Sequence, residues 1–130
     1  GLSIAHFDEK SCEVRVKLSW FNQNPFRSMY FAVEAMAAEM SCGMLALGQI
    51  YKRQPAVSML VEKLEAKFVK KATGVIIFTC EDGEALRDTV NEALANPEGT
   101  KLQVTSIGRN QAGEIVAEFV FTWTFKAKNL

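Results

Sequence analysis

At 130 residues the chain fits one domain, large enough to bury a core without disulfide or metal staples. Its 15 basic and 15 acidic residues balance, which leaves neither the basic stripe of a nucleic-acid binder nor the polybasic signal of a membrane-surface protein. Cys12, Cys42 and Cys80 are too widely spaced for a zinc or redox motif and read as free thiols of a reducing compartment, so a cytoplasmic location is expected.

The first ten residues carry Asp8 and Glu9 and lack an apolar core, so no signal peptide is expected; the segment, with the lone His6, reads as loose. "CEVRVKLSW" (12–20) alternates strictly, with Cys12, Val14, Val16, Leu18 and Trp20 on one face, the pattern of a half-buried strand. "NQNP" (22–25) is a turn, and a long oily helix follows to about Gly48, closed by Lys52, Arg53 and Pro55. This helix is long enough to cross a bilayer, but Glu34 and Glu39 inside it favour a buried helix over a membrane span. From Ser58 to Lys71 alternation returns, with Leu60, Leu64, Ala66 and Phe68 on one face and Glu62 interrupting it. "VIIFTC" (75–80) reads as a deeply buried strand, and Asp82 as the N-cap of a second helix over 84–95. Strands at 101–107 and 114–126 form a hairpin around Gly113.

Five strands with apolar inner faces need a cover, and the long helix is the obvious one. The expected fold class is α+β, an antiparallel sheet wrapped around a long central helix, in a single domain over 1–130. Consecutive strands on short turns are expected to pair with each other. Phe119, Phe121, Trp123 and Phe125 read as more apolar surface than one such domain hides, which argues for self-association.

Little classical catalytic chemistry fits. With one histidine, a Ser-His-Asp, Cys-His or zinc site lacks members, no glycine-rich phosphate loop is present, and no metal or cofactor is expected. What remains is the long helix. Glu34 and Glu39, five residues apart, point about 140° away from each other and cannot share one small site on one helix. The plain reading of either is a carboxylate at a helix edge or subunit interface, paired with a lysine of the sheet. The free N–H groups at the helix start are suited to a developing oxyanion, with Asn24, Ser28 and Tyr30 as further donors. A carboxylate two turns in, its pKa raised by burial, suits acyl transfer or hydrolysis.

Element order and residues 24–43 resemble the hotdog-fold acyl-CoA thioesterases, in their uncharacterised, thioesterase-like branch. That family pattern has an asparagine, a link with Gly-Thr or Gly-Ser, a His-Gly-Gly or Tyr-Ala-Gly tripeptide, and then an acidic residue on the helix. Asn24, Ser28-Met29-Tyr30 and Glu39, fifteen residues after Asn24, match it. The resemblance implies Glu39 as general base or nucleophile, the Phe31 amide as oxyanion donor, and Asn24 as the residue that positions water or the carbonyl. It puts Tyr30 where many members carry histidine and Ser58 at a polar position that assists from the facing subunit. It also implies an acyl-CoA or related thioester as substrate and a homodimer or dimer of dimers. Lys63, Lys67, Lys70 and Lys71 are candidates for the coenzyme A phosphates against the plainer reading of a solvated face. Three positions depart from the pattern: Arg27 replaces a usual glycine, Phe31 and Ala32 replace small residues, and Glu34 stands where members are apolar. Phe31 and Arg27 motivate the alternative reading, a non-catalytic acyl- or coenzyme A-binding module.

Overall fold

A computed structural model describes residues 1–128. Two helices pack on one six-stranded antiparallel sheet: β1 (Leu2–Phe7), β2 (Cys12–Lys17), α1 (Phe31–Ile50), β3 (Val57–Phe68), β4 (Val75–Cys80), α2 (Gly83–Ala95), β5 (Thr100–Arg109) and β6 (Ile115–Ala127). Spatially the strands run β1-β2-β4-β5-β6-β3. This is the expected α+β hotdog architecture, with α1 held in the curve of the sheet.

Several local expectations need correction. The first ten residues are not loose, because Leu2–Phe7 pairs with β2. Asp8 closes that hairpin by accepting the Lys10 and Ser11 amides, both at 2.8 Å, and its side chain also meets His6 at 2.9 Å. β2 keeps the predicted alternation but stops at Lys17, leaving Trp20 79% exposed. Asn22 turns the chain there: its side chain accepts from the Ser19 amide and donates to the Lys17 carbonyl. Asp82 precedes α2 but does not cap it with its side chain, which accepts the Thr105 amide at 2.8 Å instead. β3 and β4 follow one another without pairing, since β3 pairs only with β6.

Strand β3 shows why its alternation misleads. Val57, Met59 and Val61 stand opposite Ala127, Phe125 and Trp123, whereas Leu64, Ala66 and Phe68 stand opposite Phe121, Phe119 and Ala117. The inner face therefore changes from odd to even positions, and a bulge at Glu62 makes the change. Leu60, grouped with Leu64 by sequence, faces the other way and is 67% exposed.

The core lies between the sheet and the two helices. α1 presents Ala37, Ala38, Ser41, Cys42, Leu45 and Ala46, mostly small residues that let the helix approach Phe78, Phe119 and Phe121. Ser41 bonds the Ser106 hydroxyl at 2.7 Å, which ties the helix to β5 without leaving either group unpaired. Gly108 lies opposite Phe78, and a methyl added there would come within 2.5 Å of that ring. α2 buries Leu86, Val90 and Ala93 and packs against β5 and β6. Phe119, Phe121, Trp123 and Phe125 are consequently hidden within the single chain, so the argument for self-association from their surface fails. By length and composition α1 alone among the described residues could cross a bilayer, yet here its small-residue face is packed on the sheet.

Candidate functional site

The segment before α1 is organised by Asn24. Its side-chain oxygen accepts from the Phe26 amide at 2.9 Å and the Ser28 amide at 3.2 Å, and its amide nitrogen donates to the Ser28 hydroxyl at 3.0 Å. The turn brings Arg27 to φ 60°, the left-handed conformation that glycine adopts without strain. Arg27 thus replaces glycine in residue type while the backbone keeps glycine geometry. The Met29 amide donates to the Ala72 carbonyl, fixing the helix start against the segment after β3.

Tyr30 is the residue before the helix, and its carbonyl receives the Val33 amide at 3.0 Å. The Phe31 and Ala32 amides belong to the first turn and have no intrahelical acceptor, at the positive end of the helix dipole. Beside them opens a cavity of about 440 Å³, lined in part by Asn24, Ser28, Tyr30, Phe31, Glu34 and Phe68. Tyr30, Phe31 and Phe68 form its aromatic wall, with ring centroids 5.0 and 6.3 Å apart along that series. Phe31 remains 58% exposed at the mouth rather than filling the space.

The two glutamates separate as their angular spacing requires. Glu34 faces inward, is 4% exposed, and its Oε1 has no hydrogen-bond partner among the described residues. Burial alone pushes its carboxyl up to about 7. The expected lysine partner is missing: Lys70, on the same cavity, bonds Glu114 instead. Glu39 faces outward and lies outside the cavity, roughly 12 Å along the helix axis from Phe31. Its side chain extends over Gly43, where an added methyl would come 3.0 Å from Oε1. Packing of that carboxyl along the helix removes enough water to raise its pKa above the ordinary value, although the residue as a whole is open.

Of the predicted site residues, Asn24, Ser28, Tyr30 and Phe31 come together at one cavity, whereas Glu39 and Ser58 stay apart from it. Ser28 is 7% exposed and its hydroxyl is engaged with Asn24, so it braces the turn. Ser58 lies on β3 opposite Lys126 and is exposed; its hydroxyl donates to the Lys126 carbonyl at 3.2 Å. Sequence reasoning assigned Glu34 no role, yet it is the carboxyl that lines the cavity. A charge at a position that is otherwise apolar in the resembling family was the available signal.

Residues 1–125 match the family described as a domain of unknown function, DUF4442. The chain belongs to the DUF4442 family. No curated protein matches this DUF4442 chain. Among solved structures, it resembles a Pseudomonas aeruginosa protein of unknown function named as a probable thioesterase. That likeness has a TM-score of 0.85 and 21% identity, over 98% of this chain and 83% of the other. It also resembles a Haemophilus influenzae thioesterase, with a TM-score of 0.70 and 11% identity, over 97% and 78% of the two chains. A Staphylococcus aureus protein, solved as a glutamate-to-alanine variant, superposes with a TM-score of 0.75 and 13% identity over 98% and 94%. The same protein, named as a thioesterase enzyme, was also solved as a glutamine-to-alanine variant, the glutamine lying fifteen positions before that glutamate. These likenesses establish that the DUF4442 chain has the hotdog fold.

Proposed function

We propose that the protein is an acyl-CoA thioesterase that works as a homodimer, with Glu39 of one copy acting at the helix start of the other. The observation that carries this reading is the division of the site. The Phe31 amide and Asn24 stand at a cavity from which Glu39 of the same protomer is excluded. Around Glu39, α1 carries Met36, Met40, Gly43 and Leu47, a stripe at i, i+4, i+7 and i+11. Met36 and Leu47 on it are 58% and 48% exposed. Such spacing suits packing of one helix against another, and a second copy is the simplest partner. β3 adds a second surface, a twelve-residue edge strand with one neighbour. The fifteen-residue separation of the two altered positions in the Staphylococcus aureus protein equals that of Asn24 and Glu39, which further supports the pairing.

In this reading the thioester carbonyl oxygen meets the Phe31 N–H at the positive end of α1, where developing negative charge is stabilised. Glu39 takes a proton from water as the water oxygen adds to the carbonyl carbon, or its carboxylate adds directly. By the water route, collapse of the adduct breaks the carbon–sulfur bond and the proton passes from Glu39 to the departing thiolate. By the direct route, collapse expels the thiolate and leaves an acyl-Glu39 anhydride, which water cleaves to the free acid, regenerating the Glu39 carboxylate and supplying the thiol proton. Asn24 uses its side-chain oxygen to hold the turn, leaving an amide hydrogen for the water or carbonyl. The cysteines, all buried and unpaired, suit a reducing compartment such as the cytoplasm.

Free thiol release from short, long and aromatic acyl-CoAs tests the reading. Glu39→Ala is expected to lower turnover by about 100-fold or more; hydrolysis unchanged by it removes Glu39 from the mechanism. Light scattering that gives a stable monomer at micromolar concentration refutes the shared site. A second reading is supported by Phe31, whose ring stands at the cavity mouth against Tyr30. A non-catalytic acyl- or coenzyme A-binding module would bind these compounds saturably and release no thiol.

A further inference from the structure

Glu34 is a buried polar group without an internal use. It occupies the fourth position of α1, where side chains lean back toward the helix start. Its Oε1 is fully enclosed and accepts nothing from the protein. Leaving such an oxygen unpaired costs stability that an apolar residue there would not. The groups around it offer little relief: Met29, Phe31, Phe68 and Ala72 are apolar at the cavity, and Lys70 is committed to Glu114. The cavity is within the size range of small-molecule sites and has room for a short acyl group.

Position gives the carboxyl a target through its other oxygen, Oε2. Glu34 follows Phe31 by one helical turn, roughly 5 Å of rise. An acyl chain with its carbonyl at the Phe31 amide, continuing into the cavity, passes Glu34 within its first few carbons. We propose that Glu34 is a specificity-determining residue, whose unpaired carboxyl accepts, at Oε2 rather than the enclosed Oε1, a hydrogen bond from a hydroxyl on the acyl chain, so that the preferred thioesters are hydroxyacyl thioesters. A hydroxyl fits better than an ammonium group because Lys70 and Lys71 line the same cavity. A hydroxyl also pairs with a carboxyl in either protonation state, whereas an ammonium needs the anion. The inference rests on the acyl-binding reading of this cavity, but not on turnover.

The test separates the two. Dethia analogues of acyl-CoA, with a methylene in place of the thioester sulfur, bind without being cleaved. Matched analogues with and without a hydroxyl at the β, γ or δ carbon are titrated calorimetrically into wild type, Glu34→Gln and Glu34→Leu. Wild type is expected to bind one hydroxylated analogue at least about tenfold more tightly than its deoxy match. Glu34→Gln, which keeps a carbonyl acceptor, retains most of that preference, and Glu34→Leu abolishes it. Equal affinities in wild type, a preference that survives in Glu34→Leu, or binding of neither analogue overturns the proposal. The wild-type comparison and Glu34→Gln decide the matter even if Glu34→Leu fails to fold. Discrimination between the analogues without thiol release from any thioester would refute the thioesterase reading and leave this one standing.

Discussion

Replacing Glu34 by glutamine should barely change stability at pH 4.5 and should raise it by about 3 kcal/mol at pH 8. The carboxyl is 4% exposed, and burial raises its pKa from 4.5 to about 7. A tenfold difference in proton affinity is worth about 1.4 kcal/mol, so this gap corresponds to ~3 kcal/mol. The folded state holds the proton more tightly than the unfolded state. The stability linked to that proton is therefore fully present below pH 4.5 and is lost as the pH rises through about 7. Glutamine has nearly the same shape as the protonated glutamate and does not titrate. Asp8 and Glu114, whose pKa values are lowered, contribute in the opposite sense but equally in both proteins. Urea unfolding of wild type and variant across this range, at one fixed protein concentration, isolates Glu34. In thermal melts the pH 8 difference should be on the order of 10 °C. Parallel stability curves from pH 4.5 to 8 would refute the claim that Glu34 is buried without a partner.

Three further outcomes follow from the geometry. Arg27→Gly should leave stability unchanged or raise it by up to about 1 kcal/mol in chemical denaturation, because Arg27 holds a left-handed φ of 60°. Gly108→Ala should destabilise by about 2 kcal/mol or more, since the new methyl meets the Phe78 ring at 2.5 Å. Asn24→Ala should cost about 1–2 kcal/mol by orphaning the Phe26 and Ser28 amides. It should also speed hydrogen exchange at those two amides.

What could be read from the sequence was the part governed by local periodicity. Two-residue alternation gave β2 and β6, and the run of branched residues gave β4, because each faces the core along its whole length. Leu60 was misplaced because a single extra residue, Glu62, inverts the alternation midway through β3. β1 escaped because, as an exposed edge strand, it has no apolar stripe to betray it. The pairing of β3 with β6 joins residues up to 70 positions apart, and no local pattern encodes it. At the site, Asn24 and the helix start were visible as a motif, and the angular separation of the glutamates was correct. Which of the two met the cavity depended on where 68–72 returns to the helix, which is a tertiary matter.

The strand order also sets a schedule for folding. During synthesis the β1–β2 hairpin can form as soon as it emerges, but α1 then waits, its apolar faces bare, for β4 to widen the sheet. β3 waits longest, because its sole neighbour, β6, is the last to emerge of the strands among the described residues. Between the emergence of β3 and that of β4, then, the oily helix has only β2 to pack on and the twelve-residue strand has no partner. Long-range pairing of this kind slows folding and exposes sticky intermediates. Its yield should depend on chaperone supply and on growth temperature more than its final stability would suggest.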